Sequence, residues 1–335
     1  MKPALHFPRI GKTLLASALV ATFGIASLPA EAKPKQASAA AGKPIKGEIN
    51  AAKALTFMYG NATANSANDA KMGRTHHAKI RKIQQQPDWS EYMTETFAGK
   101  SGRAEVAAEA RYTEQGKEKY LIITGITLPS GENDCFACIP LTQAALFAKE
   151  GGQWVLETQN KNLGLGGSYG EILGKPKQIE VGRGKFGFLS FFGGYRQDCL
   201  EDGYLIVMPY NGTIDAFGFD FGDGVGSLTV CHREGYEPEA VEKCKGRKQK
   251  PVGKKEPVEG GVVITEINTE GGDGDEDSPD TVGFWDGKLM TVDTGADYYD
   301  IVVQGKRREE ICGPITWQTH RFRFENGKYK KAGAK

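Results

Sequence analysis

Cys135-Phe136-Ala137-Cys138 is the segment of this chain whose residue types and spacing best suit chemistry. Two residues between cysteines let one thiolate be stabilised, and then attacked, by its neighbour, as thiol–disulfide exchange requires. An exchanger of that kind sets the pair at a helix N-terminus after a strand. The apolar run Tyr120–Ile126 supplies the strand, but Pro140–Leu146 leaves room only for a short helix before Gly151-Gly152, and no strand–helix–strand pattern continues. A structural disulfide is therefore the preferred reading, and exchange through Cys135 and Cys138 the alternative. Zinc would need a second cysteine pair or two histidines at ligand spacing, and neither lies nearby.

Other candidate chemistry is weaker. Asp273, Asp275, Asp277 and Asp280 crowd carboxylates into one loop, as a calcium site does. Ser278 stands where an EF-hand needs its turn glycine and Phe284 where it needs its bidentate acid, so the expectation is a solvated acidic loop. Asp215, Asp220 and Asp223 before Gly224 have the same standing. His76-His77 are neighbours that point in different directions on a strand or helix, and His232 and His320 are isolated. Gly164–Gly170 lacks the strand-to-helix setting of a nucleophile elbow or phosphate cradle and reads as a bend in a β scaffold. Phe186, Phe188, Phe191, Phe192 and Tyr195 read as core. No cofactor is expected.

Behind these residues stands a period-two pattern. Ala104–Tyr112, Tyr120–Ile126, Ala144–Lys149, Trp154–Thr158, Gln178–Val181, Phe186–Phe192, Tyr204–Pro209, Thr213–Phe219 and Ser227–Cys231 read as strands, and so do Val262–Ile267, Thr281–Trp285, Lys288–Val292, Tyr299–Val303, Thr316–Phe324 and Lys328–Lys330. Gly151-Gly152, Asn211-Gly212, Asp286-Gly287 and Asn326-Gly327 suit two-residue hairpin turns. The fold class that follows is mainly β, with antiparallel hairpins forming a sandwich, barrel or propeller-like stack and a small helical N-terminal element. No fixed-period repeat is found, which weighs against the propeller. Ile49–Tyr59, stopped by Gly60, and the segment from Asp88 to Phe97 carry helical spacing.

The expected organisation is a signal peptide over 1–32, a flexible leader over 33–48, a helical element over 49–103, a main β region over 104–242, a basic loop or linker over 243–260, and a C-terminal β region over 261–335, which is either a separate domain or part of the same one as the main β region. Lys2, Arg9 and Lys12 precede an apolar run from Thr13 to Leu28, and Ala30-Glu31-Ala32 forms a small-x-small site that places cleavage between Ala32 and Lys33. The run is about 16 residues, short of the about 20 needed to span a bilayer, and no later stretch replaces it. Of 43 basic and 42 acidic residues, the leader removes three basic and one acidic, leaving 40 against 41. A nearly neutral exported chain has no global field for nucleic acid.

The order Cys135-x-x-Cys138-x-Pro140, Phe147, Gly152-x-Trp154, Gly166-Gly167-x-x-Gly170 resembles a pattern in uncharacterised exported proteins of Gram-negative bacteria. The resemblance implies export and a β-rich fold and carries no activity. The sequence thus points to a periplasmic or extracellular protein acting by binding, as an inhibitor or envelope accessory, toward an envelope protein or a small ligand. The alternatives are the exchanger and a calcium-stabilised adhesion module. All six cysteines lie in the exported part, so pairing is expected, with Cys135–Cys138, Cys231–Cys244 and Cys199–Cys312 as the preferred set. Thiol titration of the unfolded, unreduced exported protein should accordingly find no free thiol; two or more per chain would reverse the structural reading of Cys135 and Cys138.

Overall fold

A computed structural model describes residues 43–64, 74–80, 96–129, 139–165, 167–168, 171–172, 174–196, 199–220, 250–267, 283–309 and 312–333. Strand β1 (Ile45–Lys46) leads into helix α1 (Ala51–Tyr59), then β2 (Thr63–Ala64), β3 (Arg74–Lys79), β4 (Ser101–Glu114), β5 (Lys117–Thr127), β6 (Leu141–Glu150) and β7 (Gln153–Asn160). Short β8 (Gly167–Ser168) and β9 (Glu171–Ile172) precede a meander of β10 (Lys177–Gly182), β11 (Lys185–Arg196), β12 (Cys199–Tyr210) and β13 (Thr213–Phe217). The chain continues with β14 (Phe219–Asp220), β15 (Gly261–Ile267), β16 (Gly283–Val292), β17 (Asp300–Arg308), β18 (Thr316–Glu325) and β19 (Lys328–Lys331).

The protein is mainly β, built of antiparallel hairpins, one sheet curling into a half-barrel, with one small helix near the N-terminus. Seven strands form a first sheet in the order β1-β7-β6-β5-β4-β3-β2, four a second in the order β10-β11-β12-β13, and six a third in the order β14-β19-β18-β17-β16-β15. Among the named ladders the pairing of β14 with β19 is parallel. The expected turns at Gly151-Gly152, Asn211-Gly212 and Asn326-Gly327 have positive φ at both residues, which matches the twist of the strands they join.

The second sheet is the middle of three layers. Toward the first sheet, Phe188, Val207 and Ile214 pack with Leu121, Ile123, Ala144 and Leu146. Toward the third, Ile179, Val181, Leu189, Ile206 and Met208 pack with Ile264, Leu289, Ile301, Val303 and Phe322. Alternate residues of β11 and β12 thus face opposite apolar cores, as the two-residue period dictates. The β regions expected over 104–242 and 261–335 share this second core, and the chain from Ser38 to Lys335 packs as one unit. The joint between the second and third sheets is one residue, Gly218, between β13 and β14.

Helix α1 covers the outer face of the first sheet. Asn50 caps it by accepting from the Lys53 amide at 3.0 Å, Phe57 meets Phe147 edge-on at 5.3 Å, and the Tyr59 hydroxyl reaches Thr124 at 2.6 Å and Gln143 at 3.2 Å. Burial holds the Tyr59 hydroxyl well above its usual titration range. Arg111 fixes the entry to the helix through the Ile49 carbonyl and Glu48, and Lys149 bonds Glu48 at 3.3 Å and Glu118 at 2.8 Å.

Three expectations are corrected. Asp286-Gly287 is not a hairpin turn: β16 runs through it with a register shift. A Cβ on Gly287 would lie 2.6 Å from the Gln304 carbonyl oxygen, so this glycine serves a bulge pressed against β17. The polar stretch after Gly60, read as weakly patterned within a helical element, contains β2 and β3, and His76-His77 lie on β3, paired with β4. Pro140–Leu146, considered as a short helix, leads into strand β6. The segment expected to be helical from Asp88 lies outside the described residues up to Glu95, and so does the strand expected at Ser227–Cys231.

Because Phe188 is fully buried in the middle layer, Phe188→Ala should cost about 3–5 kcal/mol, read as a lower midpoint in denaturant unfolding at an unchanged slope. A loss below about 1 kcal/mol would contradict the three-layer packing.

Candidate functional site

Edge strands decide where this stack can be approached. β10 ends the second sheet and β15 ends the third, and because the two sheets are joined through Gly218 at their other border, β10 and β15 face each other across an open seam. The seam holds a cleft of about 310 Å³ lined by Gln178, Ile179, Val262, Val263, Thr291 and their neighbours. Val262 is 67% and Val263 45% exposed. With Val252, they are the large apolar side chains left exposed among the described residues. The β15 register shifts between Val263 and Thr265, and a bulge of this kind twists an edge locally.

Two clamps close the seam at its ends. At one, the Lys177 ammonium donates to the Ile264 carbonyl. At the other, the Tyr299 amide donates to the Val181 carbonyl at 2.8 Å. Lys177 therefore lies opposite Ile264, while Glu180 and Asp293 lie toward Gly260–Val262, so charge is separated along the cleft. Glu180 accepts from the Gly184 amide at 3.0 Å and from the Tyr299 hydroxyl at 3.4 Å. The Tyr299 hydroxyl titrates above its ordinary value through desolvation first and the Glu180 and Asp293 charges next. Asp293 accepts from the Gly295 amide at 2.8 Å and pairs with Arg183 at 3.0 Å; these hold its carboxyl below the usual range, the amide bond most strongly. The arrangement offers apolar side chains, separated charges and strand edges to a ligand.

Most residues singled out in the sequence lie elsewhere. Cys135, Cys138, Cys231, Cys244, Asp273, Asp275, Asp277, Asp280, Asp223 and His232 fall outside the described residues, as do the side chains of His77, Cys199, Asp220, Phe192 and Tyr195. Cys312 is disulfide-bonded, to a partner not among the described side chains. Asp215 is held by Thr213 at 2.5 Å and by Asn160 at 3.3 Å. Phe188 lies in the core, Phe186 packs partly buried against it with Tyr112 at 5.2 Å, and Phe191 is half-buried against Tyr204 at 5.5 Å. From Lys250 the basic loop lies along the third sheet: the Val252 amide donates to Ile315, the Trp317 amide to Val252, and Lys255 sits 5.4 Å from the Trp317 ring centre. No group of three or more metal-ligating side chains occurs among the described residues.

Sequence reasoning missed the seam. The run Gly261-Val262-Val263-Ile264 was legible as a strand, but its exposure depends on which strand ends a sheet. Asp300 was also missed: it is fully buried, 3.6 Å from Arg321 and 3.5 Å from Arg323, and these cations offset the cost of enclosing its charge. Compared with protein-family models, curated proteins and solved structures, the chain matches none.

His320 lies on the inner face of β18, opposite Val303, with its ring 2.9 Å from the Gln318 side-chain oxygen. Burial first, then Lys331 and Arg307, push its pKa down to about 4, with Glu309 opposing. The unfolded chain takes up a proton on this residue near its ordinary value of about 6.5 while the folded protein resists it. Its contribution to stability is therefore present above about pH 6.5 and lost as pH falls from there toward 4, by up to about 3 kcal/mol. Unfolding midpoints measured from pH 8 to 4 should fall in that window, and His320→Gln should flatten that part of the fall; equal slopes in both proteins would exclude His320 as its source.

Proposed function

We propose that this chain is an exported, non-catalytic binding protein of the bacterial envelope, periplasmic or extracellular, and that it holds its ligand in the seam between β10 and β15. One observation carries the reading: Val262 and Val263 are exposed on the edge strand β15, and both line the cleft against β10. An unpaired strand edge with exposed apolar side chains is a ready template for another chain. The basic lead, apolar run and small-x-small site of residues 1–32 support export. No helix among the described residues is long and apolar enough to cross a membrane. Exchange through Cys135 and Cys138 draws less support, because the chain runs from Ile139-Pro140 directly into strand β6 rather than the helix that would stabilise a thiolate. The pairing Cys199–Cys312 fits the topology. β11 and β17 both start at the end where the Tyr299 amide meets Val181, so Arg196 and Cys199, paired at the far ends of β11 and β12, and Arg308 at the end of β17 all lie away from it.

Val262→Lys places a charge on the seam at a position exposed enough to leave the fold intact. Full-length wild-type and variant protein, immobilised and exposed to envelope extract, should differ in at least one retained species, depleted tenfold or more from the variant, with melting temperatures within about 2 °C. Identical retention by two equally stable proteins would remove the seam from the binding function.

A further inference from the structure

We infer that the occupant of the seam is an extended segment of another polypeptide, carrying alternate apolar residues and a basic side chain, which adds as a strand between β10 and β15. The inference rests on the reading of the seam as the binding element and names the chemistry of what enters it.

The walls point to a polypeptide. Both are strand edges, and an edge presents backbone donors and acceptors that recur every second residue, about 7 Å apart. An extended main chain has the matching repeat, and addition of such a strand to an exposed edge is a general mode of peptide capture. The clamps set the length. Lys177 on Ile264 and Tyr299 on Val181 leave Gln178–Glu180 and Val262–Val263 between them, about 10 Å of strand. Side chains pointing inward from the segment would meet Ile179, Val262 and Ile264, and those pointing outward would meet solvent.

Charge and size choose among polypeptides. At one end of the cleft lie Glu180 and Asp293, the latter paired with Arg183, whose side chain is 74% exposed; at the other, Lys177 is turned onto a carbonyl. A lysine or arginine on the segment complements the acidic end. A second copy of the chain fits less well, since a lasting dimer buries about 1,200–2,000 Å² in total and a window of three residues supplies a small part of that.

The test uses the full-length protein and three synthetic peptides labelled with fluorescein. They are acetyl-Lys-Val-Thr-Val-Thr-Val-amide, the same peptide with Glu in place of Lys, and the Lys peptide N-methylated at alternate residues so that one edge cannot donate. Fluorescence anisotropy should show saturable binding of the Lys peptide, at least fivefold weaker binding of the Glu peptide, and at least tenfold weaker binding of the N-methylated one. Val262→Lys should abolish binding, and Glu180→Gln, which keeps an acceptor for the Gly184 amide, should narrow the difference between Lys and Glu peptides. Equal affinity for the N-methylated peptide, equal binding by Val262→Lys, or no binding up to 1 mM would overturn the proposal. So would a concentration-dependent dimer that Val262→Lys dissociates, which would give the seam to a second copy. If extract species still depend on Val262 while the peptides do not bind, the strand proposal fails and the binding function of the seam stands.

Discussion

A sheet covered on both faces has no polar side to spare, and the middle layer of this protein is such a sheet. Phe188 and Leu189, adjacent in β11, enter different cores, and so do Ile206 and Val207 in β12. Each strand of this layer must therefore be apolar at consecutive positions, not only at alternate ones. The outer sheets follow from it: each has one inner face shaped by the middle layer, and the first sheet adds a second cover, α1. The aromatic group of Tyr210, Phe217, Tyr298 and Phe324, with Tyr298 and Phe324 4.6 Å apart, fills the end where hairpin tips of the second and third sheets meet.

The stack supplies partners to several of the polar groups it encloses. Asn160 donates to the Ile214 carbonyl at 2.7 Å and accepts from the Asn162 amide at 2.8 Å, tying the loop after β7 to β13. Lys119, almost fully buried, is matched to Glu157. Asp300 sits between two arginines of the neighbouring strand. Removing one member of such a set leaves a buried group unsatisfied, which costs more than the net worth of the bond. By contrast, the pair formed by Arg183 and Asp293 at the seam lies in solvent and organises the cleft mouth more than it stabilises the fold.

The strands were legible in the sequence because their period and turn residues agree. Val302 and Val303 face opposite sides of β17, and Asn211-Gly212 and Asn326-Gly327 form the turns their chemistry demands. Arg74–Lys79 was not legible: Arg-Thr-His-His-Ala-Lys has little apolar content, and its strand state comes from pairing with β4. Asp286-Gly287 misled because the positive φ that suits a turn also suits a bulge, and only the proximity of β17 distinguishes them. The layering was beyond any local pattern, since a consecutive apolar run such as Phe186–Phe192 is compatible with burial in several folds. The candidate site was unreadable for the same reason: which strand ends a sheet is a property of the order of strands in space.

The two borders between the second and third sheets are unlike in kind. One is crossed by the covalent chain at Gly218, within a single residue; the other is crossed by side chains and single hydrogen bonds, among them Lys177 on the Ile264 carbonyl, the Tyr299 amide on Val181, the Tyr299 hydroxyl on Glu180 and Arg183 on Asp293. Separating β15 from β10 would break single hydrogen bonds and also expose Ile179, Val181 and Ile264, which share the buried core, whereas separation at the opposite border would have to strain the backbone itself. The two borders thus differ in what holds them, backbone on one side and side chains on the other, and the side-chain border is the one that carries Val262 and Val263.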